Sequence, residues 1–382
     1  MRPALLIALA LVAAIPVKAD TQADPNHLTP KEIAAGWLLV FDGETTFGWT
    51  VVPGKDEGKP RVEVKEGTLV IAGKQGGLRL NTEFSHFELA GEFRSSKKGS
   101  RLVLGLHGAG EKESFEKAEP LDEEAFPKWQ KLTVQMSPGE IFITTNGDRR
   151  RPVELTVRKD LLGSIRFELP GTEEGLIELR NLKLLPLGEK PIFNGKDLEG
   201  WSINKADPKR MSSRWEVTAD GELSLKTGPG DLVSEKQFGN FVLQCECKTL
   251  GKALNSGIFF RCIPGQYQNG YEAQIQNGYK DDDRARPADF GTGAIYRRIA
   301  ARKVVSNDNE WFTLTVVAEG RHIATWVNGY QTVDWTDERP AHDNPRNGYR
   351  EAKGPISIQG HDLTTNLLFR HIRVGELPEA KK

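Results

Sequence analysis

Cysteine, methionine and tyrosine are scarce in this sequence, at three, three and six of 382 residues. Three thiols, at Cys245, Cys247 and Cys262, exclude a disulfide framework. No histidine or fourth thiol stands at ligand spacing, which excludes a cysteine-based zinc site. Cys245 and Cys247 are expected as small buried apolar residues on one strand face, with a bridge to Cys262 left open. An excess of charge of one sign is missing too: 52 Lys and Arg against 53 Asp and Glu give a formal net charge of -1. Nucleic-acid binding normally shows a basic excess, so that partner is excluded. After the first stretch no apolar run approaches the length of a membrane span. Long helical periodicity is absent, apart from a short candidate in "TPKEIAAGW", where Thr29 caps and Pro30 occupies the first position.

What is present begins with "MRPALLIALALVAAIPVKAD": a basic Arg2, an apolar run from Ala4 to Ile15, and the small-x-small signal Val17-Lys18-Ala19. This predicts a signal peptide over 1–19 and export to the periplasm or the extracellular space. The remaining length suits two ordinary domains. An internal repeat supports the division: "FDGETTFGW" matches "FNGKDLEGW", "FSHFELAGEF" matches "FGNFVLQCEC", "WQKLTV" matches "WFTLTV", and "IELRNLKLL" echoes "LLFRHIRVG". The step from His107 to Trp129 in the first copy is much shorter than that from Arg261 to Trp311 in the second. The second copy therefore owns an extra block, directly after "NSGIFFRC". Such a local difference favours a site gained or lost over uniform drift. Short alternating runs bounded by Gly, Asn, Asp and Pro predict two tandem all-β sandwiches, over 34–188 and 189–380, joined by the short "LLPLGEKP".

Period-two alternation sorts the second copy's strands into faces. "YEAQIQ" puts Glu272, Gln274 and Gln276 together; "GIFFRC" pairs Phe259 with Arg261; "FVLQCECK" sets Gln244 and Glu246 opposite its apolar set. If these strands are neighbours they form one surface of amides, carboxylates and a guanidinium, with Phe259 and Tyr296 to stack on a sugar. Glutamines are poor strand formers with no evident structural use, so the cluster points to binding.

These segments, with "NSGIFFR", "YEAQIQNG", "GTGAIYRR" and "GPISIQGHD", resemble the 3-keto-disaccharide hydrolase domain from Lys190 to about Leu377. The first copy resembles it only in its flanking strands and is expected to be a degenerate scaffold or binding module. The resemblance implies a concanavalin-like jelly roll, export, and cleavage of glycosides oxidised to a ketone at C3. A C3 ketone acidifies the C2 proton; a base removes it, the C1 substituent leaves by elimination, and water adds back. By motif and residue chemistry Glu272 is the candidate base and Arg261 the enolate stabiliser. His361 is the acid or a metal ligand, and Asn255, Gln274, Gln276, Tyr296 and Glu246 hold the sugar. No cofactor is certain, with a divalent metal left open. Asp281-Asp282-Asp283 suggests calcium weakly and a solvated turn more strongly. Some family sequences carry an aspartate after "QI"; here Gln276-Asn277 stands, which argues against a carboxylate pair. A retaining glucanase fails on the same ground, since it needs two close carboxylates. The serious alternative is a non-catalytic, lectin-like carbohydrate-binding or cell-surface module.

Overall fold

The computed structural model describes residues 25–379, apart from 55–57, 96–100, 109–113, 121–127, 148–152 and 157–161. The expected signal peptide over 1–19 lies outside the described residues. The chain is all-β, built as two units of curled sheets of the jelly-roll kind. The expected helix forms over Pro30–Ala35, where Thr29 and Glu32 make a reciprocal capping box and Gly36 ends it at φ 93. Among the described residues no helix is long and apolar enough to cross a membrane.

In the first half one sheet folds over its own core. Its 24-residue strand, Gly163–Pro186, pairs early with Arg101–Gly108 and late with Phe87–Arg94, and with Thr68–Leu80 along both parts. Register shifts between Pro170 and Gly175, and between Arg180 and Lys183, let the strand bend between the two layers. Phe41, Phe84, Phe87, Phe93 and Phe167 fill the space enclosed.

The second half has two main sheets. One runs Trp201–Ile203, Gly230–Phe238, Gly354–Gly360, Ser256–Phe260, Tyr271–Ile275; the other carries Phe241–Thr249 between Asn366–Glu376 and Phe312–Glu319. Leu232, Ile258, Phe260 and Ile358 from the first meet Leu243, Cys245, Cys247 and Leu314 from the second in one core. The strand Phe241–Thr249 is thus in the sheet opposite to Ser256–Phe260, not beside it. Its outer side chains point at the first half of the chain, and Val242, Val317 and Trp326 join that half's core. Trp326 Nε1 donates to Leu39 O at 3.0 Å, Gln244 Nε2 to Gly36 O at 2.9 Å, and Arg302 pairs with Asp42 at 2.9 Å across the same junction.

Matching segments hold matching geometry. Trp49 Nε1 donates to Val40 O as Trp201 Nε1 does to Ile192 O. Glu92 accepts from Arg180 and Asn181 as Glu246 pairs with Arg370 and His371. Asn181 and His371 share a left-handed backbone, at φ 55 and 51. All three cysteines are free and buried, Cys245 and Cys247 with their sulfurs 3.6 Å apart.

Candidate functional site

On the Trp201-to-Ile275 sheet, alternation sends one set of side chains to the core and the other outward. The outward set forms continuous rows. Asp231 stands opposite Gln359, Phe259 opposite both Ser357 and Glu272, and Gly257 opposite Gln274. Above this face lies a hollow of about 210 Å³ lined by Asn255, Glu272, Gln274, Tyr296, Gln359 and His361, with Arg210, Arg297 and Arg346 exposed around it. The extra block supplies one wall: Tyr296 N donates to Glu272 O at 2.9 Å, and the Tyr296 ring meets Phe290 edge-on at 5.2 Å.

Glu272 is 6% exposed. Burial pushes its carboxyl from 4.5 up to about 8, against the pull of Arg346 and Arg297. No side-chain hydrogen bond holds that carboxyl among the described residues. Gly257 makes room for it: a Cβ there would lie 2.6 Å from Glu272 Oε1. Asp231, fully buried and held by Gln268, is likewise pushed up by burial, to about 6.

The amides have a fixed orientation. Asp289 carboxylate, which only accepts, takes Asn255 Nδ2 at 2.8 Å and Gln274 Nε2 at 3.1 Å. Asn255 Oδ1 and Gln274 Oε1 therefore point away from Asp289, and both are buried without a partner. Gln359 Oε1 and Ser357 Oγ on the same face are buried and unpartnered too. Each such atom costs on the order of 1–3 kcal/mol unless something binds it. Four on one sheet face are acceptor oxygens open to a group that donates hydrogen bonds. His361 Nδ1 meets Asp362 Oδ2 at 2.8 Å, which fixes the ring and leaves Nε2 as the free nitrogen.

The structure thus brings together Glu272, Gln274, Asn255, Tyr296 and His361, and separates three other expected residues from them. Arg261 follows the end of its strand at φ 49, so alternation no longer governs it. Its guanidinium is fully buried, donating to Gly239 O, Gly320 O, Arg350 O and Asn240 Oδ1; it ties loops together. Glu246 lies on the opposite sheet, where Arg370 and His371 bind it, the same strut that Glu92 makes in the first half. Gln276, just past its strand, turns back to accept from Gly278 N at 2.7 Å. Phe259 is on the right face but fully covered, with the Arg346 guanidinium 5.9 Å from its ring, so it is floor and not a stacking platform. Asp281 and Asp282 form an exposed left-handed turn in which Asp281 pairs with Arg286. Among the described residues no three His, Cys, Asp or Glu side chains are grouped to hold a metal ion.

Sequence reasoning missed Arg346, Arg210, Asp289, Asp231 and Gln359. Gln359 and Ser357 were legible by alternation in "PISIQG"; Arg346 comes from an irregular loop with no periodic signal.

Comparison with curated proteins gives no match. Among solved structures, a provisionally named glycosyl hydrolase from Parabacteroides distasonis is 24% identical over 50% of this chain and 100% of its own, with a TM-score of 0.39. The carbohydrate-binding module CBM66 from Bacillus subtilis is 16% identical over 45% of this chain and 93% of its own, at 0.32. A Bacillus licheniformis beta-glucanase is 12% identical over 40% and 97%, at 0.30. The family model that matches covers the half of the chain bearing the polar hollow. Residues 188–375 belong to the 3-keto-alpha-glucoside-1,2-lyase-like domain family.

Proposed function

We propose that this protein is an exported carbohydrate-active enzyme that cleaves 3-keto-glycosides by removing the C2 proton and expelling the C1 substituent. Glu272 is the base. The observation that carries this reading is a buried carboxyl, raised to about 8, on a sheet face whose amide oxygens lack partners. A C2 proton next to a ketone is still a weak acid, and a base with a raised pKa narrows the gap while keeping an ionised fraction at neutral pH. The same carboxyl, once protonated, returns a proton when water adds to the enol ether. Arg346, the strongest cationic influence on Glu272, takes the enolate role first given to Arg261. His361, steadied by Asp362, protonates the departing oxygen and then takes the proton that water releases as it adds at C1. Asn255, Gln274 and Gln359 accept hydrogen bonds from sugar hydroxyls, and Tyr296 covers the ring.

The test is aglycone release from a 3-keto-glucoside, with and without chelator, by wild type and Glu272→Gln. Loss of at least about 100-fold in the variant supports the base assignment. Binding of plain disaccharides with no turnover of oxidised ones gives the function to a lectin-like module instead.

A further inference from the structure

The rim of the hollow carries more guanidiniums than cleavage of a neutral sugar requires. Glu272, which lines it, is largely uncharged at neutral pH, and the two carboxyls beside it are held by amides, Asp289 by Asn255 and Gln274 and Asp231 by Gln268, whereas Arg210, Arg297 and Arg346 contribute three guanidiniums at the rim. One cation answers the one negative charge that an enolate develops. Two of the three cations are not consumed by protein anions. Arg346 spends only its Nε, on Gln268 O at 2.8 Å, and among the described residues neither Arg346 nor Arg297 has a carboxylate within ion-pair distance. Arg210 is held differently, stacked on Tyr267 at 4.4 Å with Asp207 3.3 Å away.

Arg297 is also placed at a cost. It sits at φ 59, left-handed and unfavourable for a residue with a side chain, in a tight loop closed by hydrogen bonds between Ile295 and Ile299. Tyr296 next to it is anchored to the Glu272 backbone. The loop therefore holds Arg297 at the edge of the hollow, over residues that would touch the sugar. A left-handed position that holds a cation exposed over the Tyr296 ring, at 5.3 Å and with no carboxylate paired to it among the described residues, is explained if the cation has a ligand.

We propose that the hollow carries an anion subsite, centred on Arg297 and extended by Arg210, for a carboxylate or sulfate group borne by the sugar, with Arg346 left to the enolate. The inference rests on the carbohydrate reading above and adds the substrate class: uronic or sulfated glycosides, in preference to neutral ones. Guanidinium forks match both oxyanions bidentately, and screening by salt weakens the attraction.

The experiment is calorimetric titration of the full-length protein with methyl β-D-glucuronide, methyl β-D-glucoside 6-sulfate, unmodified methyl β-D-glucoside, and sodium sulfate. At least one anionic glycoside should bind tenfold or more tightly than the neutral one, with that preference shrinking as salt rises from 20 to 300 mM. The ratio should fall towards one in Arg297→Gln, while Arg297→Lys restores part of it. Tighter glucuronide identifies the carboxylate as the group read, and tighter 6-sulfate the sulfate. Equal affinity for neutral and anionic glycosides overturns the subsite, as does sulfate ion binding as well as the sugar sulfate. Turnover of a neutral 3-keto-glucoside is scored separately. Turnover without anion preference removes the subsite alone, and anion preference without turnover removes the lyase reading alone.

Discussion

Replacing Glu272 by Gln separates a buried catalytic carboxyl from an ordinary surface one through the pH dependence of stability. In the folded chain burial holds Glu272 protonated up to about pH 8, whereas its unfolded value is 4.5. Below 4.5 both states carry the proton, and the group is neutral towards stability. Above it the unfolded chain releases the proton and the folded chain does not, so the wild type loses stability as pH rises. The loss is about 1.4 kcal/mol per pH unit and levels off near pH 8, at a ceiling of about 5 kcal/mol. Glutamine has nearly the same shape and never ionises. The variant should therefore match the wild type within about 1 kcal/mol at pH 4.5 and exceed it by at least about 2 kcal/mol at pH 8.5. Urea unfolding at five pH values between 4.5 and 9 measures the difference, with Asp231 present in both proteins and cancelling to first order. A stability difference that stays flat across that range refutes the burial argument and the raised pKa with it. A gain in stability together with loss of turnover is the signature of a group held against its own preference for function.

For the wild type, kcat/KM on a 3-keto-glucoside should rise with pH and level off near 8, because the ionised Glu272 is the active form; a fall across 6 to 8 would make it the acid instead. Gly257→Ala places a methyl 2.6 Å from Glu272 Oε1, and should cut kcat at least about tenfold while shifting the thermal midpoint little. A drop in the midpoint of more than about 8 °C would make that glycine structural. Arg261→Met removes four hydrogen bonds to Gly239, Gly320, Arg350 and Asn240, and should cost about 3 kcal/mol in urea unfolding with kcat/KM per folded molecule within threefold of wild type. Activity lost without stability lost would return Arg261 to the catalytic group.

Much of the site was legible because strand alternation is a local rule. "YEAQI" placed Glu272 and Gln274 on the outward face, and the pattern needed no knowledge of neighbours. The errors come where that rule stops. Arg261 lies one residue beyond its strand, at φ 49, and Gln276 one residue beyond the other, so each side chain left the face that extrapolation assigned. Glu246 was sorted to the correct side of its own strand and still misplaced, because alternation does not say which sheet a strand joins.

The sequence by itself determined the local, short-range features: the turn-bounded strands, the capped helix at Pro30, and the alternation that presents Glu272 with its amides. Tertiary structure alone decided which polar faces meet. It packed the Gln244–Glu246 face against the first half, buried Arg261 among loop carbonyls, and brought Arg346, Arg297 and Gln359 from distant segments to the rim of one hollow. Sheet pairing and loop packing depend on contacts between residues far apart in the chain, and a periodic pattern carries no record of them.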